Sequence, residues 1–332
     1  MKRCAFIGAG RWALALALRL HQRGIAVALY DNSGPAVDRL LQDRSHPDLP
    51  SACRIPDGIL VSVDPSPVLA GADMVVFAVP SAALAQAAAA LRSLLPKAST
   101  IVSVTKGIDP ASLERLSVVL SRTLGRRDVV VLAGPGIPYD FAAGDPTSLV
   151  AASEDETAAT LVRDSLTGSN LRVYSLTDVA GVELAAAFKN VIAIAAGVCD
   201  GLGLGINAKA ALLTRGLAEV TRLGLAMNCN PLTFSGLSGM GDIIVTAFSE
   251  HSRNHNLGLL IGRGSTFESA QASLAGVAEG ATTCHSGRRL AARLSVEMPI
   301  TEEVYRMLFD NFPPEESVDR LLRRRPKSEV WR

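Results

Sequence analysis

Lys189 stands in a stretch, GVELAAAFKNVIAIAAGVCDGLGLGIN (residues 181–207), that is otherwise almost without polar side chains. From Val182 to Cys199 the pattern predicts a helix that is apolar nearly all the way round, as in the core of a domain. The polar exceptions are Glu183, Lys189, Asn190 and Asp200. A lysine buried without a partner loses the solvation that keeps it charged. At about 100° per residue Lys189, Ala193, Ala196 and Asp200 share one stripe, and the two charges lie roughly 16 Å apart, too far for an ion pair. Small residues between them let another group approach. The spacing therefore predicts a lysine that faces a cleft rather than one that snorkels to the surface.

Three further groups of residues could do chemistry. Gly8-x-Gly10-x-x-Ala13 follows a short buried strand and opens a helix, the context that a dinucleotide-binding turn requires. Gly8 permits the tight turn, Gly10 lets backbone N–H groups approach a pyrophosphate, and Ala13 lets the helix pack on the strand. Asp31 ends the second strand, where a carboxylate takes the ribose hydroxyls. Two later strand ends, Val79-Pro80-Ser81 and Val104-Thr105-Lys106-Gly107, lie where ligands of a parallel sheet bind. The segment LSGMGDIIVTAFSEHSRNHNLG (237–258) is dense in polar groups, of which Asp242, Thr246, Arg253 and Asn254 are expected near a substrate. His251 and His255 are four apart, but no carboxylate or third histidine stands at ligand spacing, so no metal site is expected.

The elements that must position these groups follow from the pattern. A helix is expected over Trp12–Arg23, ended by Gly24, and a second strand over Ala26–Tyr30. Further strands are expected at Ile59–Val63, Met74–Val79, Thr100–Thr105, Val129–Ala133, Ser148–Ala151 and Leu171–Tyr174. Alternating strands and helices predict an α/β fold: an N-terminal Rossmann-type, doubly wound and mostly parallel sheet. Beyond Asp178 nearly everything reads helical, which gives domains at 1–178 and 179–332. Asn207 is expected to cap a helix running to Ala226, with Arg215 and Glu219 paired on it. Gly276–Gly280 reads as a polar glycine turn and the basic tail 321–329 as a solvated terminus.

At 332 residues the chain can hold two full cores. A formal net charge of +1 gives no reason to expect nucleic acid or an anionic membrane as a bulk partner, and neither is expected. The five cysteines are scattered and odd in number, which fits reduced thiols and a cytoplasmic setting. No signal peptide and no stable membrane insertion are expected, because Glu183 and Lys189 interrupt the longest apolar run.

Taken together, FAVPS (77–81), SVTKGID (103–109), the block at 181–219, GLSGMGD (236–242), SRN (252–254) and VAEG (277–280) resemble bacterial glycerol-3-phosphate dehydrogenase, and the match covers nearly the whole chain. The resemblance implies reduction of dihydroxyacetone phosphate with NAD, NADP remaining open, and an all-helical C-terminal domain. It puts the catalytic lysine on Lys189, a second active-site lysine on Lys106, and Asp242 beside them. Gly134, Thr246, Ser252, Arg253 and Asn254 become substrate contacts. Gly8, Gly10, Arg11, Trp12, Asp31, Pro80, Lys106, Pro138, Arg253, Val277 and Glu279 become cofactor contacts. The expected partners are a small phosphorylated substrate and a second copy of the chain.

The sequence also departs from that family. Its glycine turn usually reads Gly-Ser-Trp-Gly-Thr, where this chain has Gly10-Arg11-Trp12-Ala13-Leu14. A substrate-binding hydroxyl and a lysine are replaced by Gly136 and Tyr139. If the lost hydroxyl weakens substrate binding, Gly136→Ser should improve turnover of dihydroxyacetone phosphate. The alternatives are a paralogue acting on a related phosphorylated or phosphonylated hydroxyketone, a β-hydroxyacid dehydrogenase, a non-catalytic dinucleotide sensor, and a structural role in assembly. A sensor has no need of both lysines.

Overall fold

The computed structural model describes residues 1–168, 170–274, 276–326 and 328–329. Its first half alternates β1 (Arg3–Ile7), α1 (Arg11–Gln22), β2 (Ala26–Tyr30), α2 (Gly34–Asp43), β3 (Leu60–Ser62) and α3 (Pro65–Leu69). It continues with β4 (Met74–Phe77), α4 (Leu84–Leu91), β5 (Thr100–Ser103), α5 (Leu116–Leu124), β6 (Val130–Ala133) and α6 (Pro138–Ala143). β7 (Thr147–Ala152), α7 (Glu156–Leu166) and β8 (Leu171–Leu176) complete it. The eight strands form one sheet in the order β3-β2-β1-β4-β5-β6-β7-β8. Every pairing is parallel except β6 with β7. β4, β5 and β6 are buried throughout, as continuous apolar strands covered on both faces must be. β4 and β5 end two residues earlier than the apolar runs suggest, so Ala78–Val79 and Val104–Thr105 leave the sheet and form its rim.

The second half is helical. α8 (Val179–Gly201) leads into α9 (Ile206–Ala226), α10 (Pro231–Phe234), α11 (Asp242–Phe248) and α12 (Arg253–Gly262). α13 (Phe267–Ser273), α14 (Glu279–Arg293), α15 (Pro299–Phe309) and α16 (Pro314–Leu322) follow, and a single π-helical turn, Leu237–Gly241, precedes α11. α8 starts three residues earlier than its apolar pattern because Asp178 caps it, accepting from Gly181 N–H at 3.0 Å. All of its most apolar 18-residue window is buried inside the protein, so a helix long and apolar enough to cross a membrane serves here as a core. Each large side chain so buried, Phe188 and Ile194 among them, contributes roughly 1.5–3 kcal/mol.

α12 lies directly against α8, and glycines on both make this possible. A Cβ at Gly197 would fall 2.0 Å from the His255 carbonyl oxygen, and one at Gly258 would fall 1.9 Å from that of Ile194. This close crossing carries Arg253 to the same region as Lys189.

Two expectations for α9 are corrected. Its cap is Gly205, in extended backbone, not Asn207, which already lies within the helix. Glu219 does not serve Arg215 but is buried against the start of α15, accepting from Ile300 N–H at 2.8 Å and Thr301 N–H at 2.9 Å. The first-turn N–H groups of Ile300 and Thr301 have no carbonyl partner within the helix, and they attract a carboxylate more strongly than one exposed arginine does. In the basic tail, Arg323 pairs with Asp319 and Arg324 with Glu297, while Lys327 lies outside the described residues.

Candidate active site

A cavity of about 910 Å³ opens beyond the carboxyl ends of β1, β4 and β5 and is closed on its far side by α8, α11, α12 and α14. Its wall gathers Gly8, Gly10, Arg11, Trp12, Asp31, Pro80, Lys106, Pro138, Lys189, Thr246, Ser252, Arg253, Asn254, Val277 and Glu279. These come from two sequence halves and from segments that spacing alone does not connect. Asp242 and Gly134 are not in the wall; Asp242 lies buried behind the two lysines, whereas Gly134 serves the backbone. It turns the chain at φ +136° against Ser148 and Leu149, and the neighbouring wall is made instead by Gly136, Ile137 and Pro138.

At the base of the cavity lies a closed polar cluster. Lys189 Nζ donates to Asp242 Oδ1 at 2.9 Å and to Thr246 Oγ1 at 2.7 Å. Lys106 Nζ donates to the other Asp242 oxygen at 2.7 Å. Asp242 is 0% exposed and Lys189 6% exposed. Burial, and then the Lys106 charge, bring the Lys189 ammonium down to about 8 against the pull of Asp242. Burial would raise the Asp242 carboxyl, but Lys106 and Lys189 outweigh it and hold it below the usual range. One carboxylate thus fixes two ammonium groups side by side. Thr246 belongs to this cluster: its hydroxyl accepts from Lys189 and lies 3.3 Å from Asp242 Oδ1, so it orients the lysine while it lines the cavity.

The adjoining wall is cationic. Arg253 opens α12, and among the described residues its guanidinium makes no hydrogen bond or ion pair. Arg11 opens α1, whose cap Gly10 supplies no side-chain acceptor, so the first-turn N–H groups stay free for an anion. Burial, and then the Arg253 charge, bring Arg11 down to about 10. Glu279 is pushed up by burial against the pull of Arg253. Two of the wall residues expected at the substrate also bond within the protein. Ser252 Oγ caps α12 by accepting from His255 N–H at 3.2 Å. The Asn254 amide donates to Asn190 Oδ1 at 2.9 Å and accepts from Gly280 N–H at 2.9 Å, tying α12 to α8 and α14.

At the cofactor end, Gly8 takes φ +99° and its N–H donates to Tyr30 O at 2.7 Å. Asp31 accepts from Ala9 N–H at 3.0 Å and Ser33 N–H at 2.9 Å, so it braces the glycine turn as well as facing the cavity. A free helix N-terminus, a close-approach turn and a carboxylate one strand away fit a dinucleotide. The expectation for Gly136 is reversed. A Cβ there would fall 2.7 Å from Trp12 Cη2, and the indole is packed against Phe141 with centroids 5.5 Å apart. A side chain at 136 and the Trp12 ring in this position exclude each other. Tyr139 stacks on His251 at 4.2 Å across the two halves, and His255 bonds Asp200 Oδ2 at 2.7 Å, so the two histidines point to different partners.

Several wall residues carry no signal in the sequence, Asn190, His46, Asp48 and Gln86 among them. Asn190 was noted only as polar, although its neighbour Lys189 marks the same region. His46 and Asp48 come from the long connection between α2 and β3, where no motif signals them.

Comparison with known proteins gives a consistent result. The family profile described as the NAD-dependent glycerol-3-phosphate dehydrogenase N-terminus matches residues 3–159, and that of the C-terminus matches residues 178–319. The chain is 43% identical over 327 residues to "Glycerol-3-phosphate dehydrogenase [NAD(P)+] 2" of Salinibacter ruber, covering 98% of this chain and 95% of the relative. It is 41% identical over 333 residues to the enzyme of that name from Geobacillus kaustophilus, covering 99% and 97%. The crystal structure of glycerol-3-phosphate dehydrogenase from Coxiella burnetii superposes with a TM-score of 0.93 at 34% identity, covering 97% of this chain and 99% of that one.

Proposed function

Because the chain belongs to the NAD-dependent glycerol-3-phosphate dehydrogenase family, we propose that it reduces dihydroxyacetone phosphate to glycerol 3-phosphate, and the reverse, at the cavity between its sheet and its helices. The observation that carries this reading is the lysine pair on one buried carboxylate. When bound, the nicotinamide cofactor supplies or accepts the hydride. Reduction builds negative charge on the ketone oxygen, and Lys189 and Lys106 stabilise it. Lys189 Nζ gives that oxygen its proton, and Asp242 and Thr246 keep the ammonium aimed throughout. Arg253 meets the substrate phosphate with its guanidinium fork. The glycine turn, Arg11 and the start of α1 take the cofactor diphosphate, and Asp31 takes the ribose hydroxyls of NAD.

Residues 1–178 and 179–332 act in this reading as the dinucleotide-binding and the substrate unit. Five free thiols support a reducing, cytoplasmic setting. A homodimer belongs to the same proposal, and light scattering tests it.

The test is NADH oxidation with dihydroxyacetone phosphate and a panel of close analogues. Selective turnover of that ketone supports the reading. Preference for another phosphorylated or phosphonylated hydroxyketone would assign the rebuilt loop at Gly136 and Tyr139 to a different substrate.

A further inference from the structure

Glu183 is a buried charge on α8 that the chemistry above leaves unused. It is 5% exposed. Its Oε1 accepts from Ser117 N–H at 2.8 Å, and its Oε2 accepts from Ser117 Oγ at 2.5 Å and Arg115 Nη1 at 2.8 Å. Ser117 lies in the first turn of α5, whose own cap residue, Arg115, supplies no side-chain acceptor. The carboxylate of one half therefore caps a helix of the other.

What it fastens is the loop that carries Lys106. From Lys106 the chain runs out and returns at Arg115, closed at its neck by the antiparallel bridge between Ile108 and Arg115. Asp109 N–H donates to Glu114 O at 3.0 Å inside it. Glu183 also borders a narrow crevice together with Thr105, Lys106 and Gly107. Six residues along α8, under two turns or about 9 Å, stands Lys189. The two lysines are thus joined at their tips by Asp242, while Glu183, on the helix of Lys189, holds Arg115 and Ser117 at the far end of the loop of Lys106.

We propose that Glu183 is a positioning residue, which sets the separation of the Lys106 and Lys189 ammonium groups by locking the 106–115 loop to α8. The inference rests on reading these lysines as the reacting pair. The charged groups that face Lys189 are Asp242 of α11, Lys106 of the loop and Glu279 of α14. Of these, Lys106 is the one on the loop that Glu183 holds; α14 holds the same loop through Ser286 Oγ, which donates to Ile108 O at 3.2 Å, and Arg289 Nη1, which donates to Pro110 O at 2.8 Å. A change in the separation of the two lysines alters the repulsion on Lys189, and hence the pH at which turnover changes.

Glu183→Gln keeps the shape and loses the charge on Arg115. It is expected to lower kcat about tenfold and to move the pH midpoint of kcat by about half a unit or more, while Kd for NADH stays within about twofold. Asp178→Asn serves as the comparison. It loosens the start of α8 on the side of Asn230 and Thr233 without touching the loop, and is expected to lower Tm with the midpoint in place. A Glu183→Gln protein with a lowered Tm and the wild-type midpoint would overturn the proposal. If that variant does not fold, Ser117→Ala removes one of the three contacts, and it must shift the midpoint the same way by less; no shift overturns the proposal. Lys189→Met separates the two failures. Retained turnover in it defeats the reading of the site, whereas lost turnover beside an unmoved midpoint in Glu183→Gln defeats only this inference.

Discussion

Lys189 and Lys106 share a single counter-ion: each reaches a different oxygen of Asp242, at 2.9 Å and 2.7 Å, where that carboxylate has no exposed surface. Two ammonium groups held by one carboxylate leave a net positive charge in a shielded place. A developing alkoxide is the species that arrangement favours.

The first prediction concerns pH. Lys189 must be protonated to donate and neutral to accept, and its ammonium sits at about 8. With saturating substrates, kcat for ketone reduction is expected to fall as pH rises through about 8. kcat for alcohol oxidation is expected to rise over the same range. Stopped-flow measurement of the hydride step in both directions checks the opposite signs; parallel profiles would assign the titration to another group.

Phosphate recognition gives the second. Arg253→Ala removes a guanidinium that has no hydrogen-bond partner among the described residues, and is expected to raise KM for dihydroxyacetone phosphate by about tenfold or more. KM for unphosphorylated dihydroxyacetone is expected to change much less. Equal effects on the two ketones would make Arg253 structural.

The third reverses the expectation drawn from the sequence. Gly136→Ser drives a Cβ to 2.7 Å from the Trp12 ring, so it is expected to lower kcat/KM several-fold and to weaken NADH binding. Steady-state kinetics and fluorescence titration decide it, and an improved kcat/KM would mean that the indole moves aside freely.

How much of this was legible depended on the range of the interaction. Lys189 stood out because a lysine among so many apolar neighbours on one helix is a local signal, and the glycine turn carries its own chemistry within six residues, from Gly8 to Ala13. The parallel sheet followed from the alternation of elements. What spacing cannot show is which distant group a side chain will choose. Thr246 turned to Lys189, Asn254 to Asn190 and Gly280, and Glu219 to the start of α15, each because a buried partner outweighs an exposed one. Gly136 lies against the ring of Trp12, a contact between distant parts of the chain that no local pattern records.

Cofactor choice gives the fourth prediction. A 2′-phosphate would meet the Asp31 carboxylate at close range, a cost of about 1–3 kcal/mol at an effective dielectric near 20. Kd for NADPH is therefore expected to exceed that for NADH by about ten- to hundredfold. Because Asp31 also braces the turn through Ala9 and Ser33, Asp31→Ala is expected to weaken NADH and to bring the ratio toward unity. Tighter NADPH binding by the wild type, or an unchanged ratio in the variant, would contradict this.

The most direct test of the account is single-turnover reduction of dihydroxyacetone phosphate by Lys189→Met, with Kd for NADH measured on the same protein. Lys189 lies at the base of the cavity, held by Asp242 and Thr246 and not by the glycine turn. The account predicts a hydride-transfer rate lower by about 100-fold or more, with NADH binding changed by less than about twofold. A near-normal rate would contradict it, as would a loss explained wholly by failure to bind NADH.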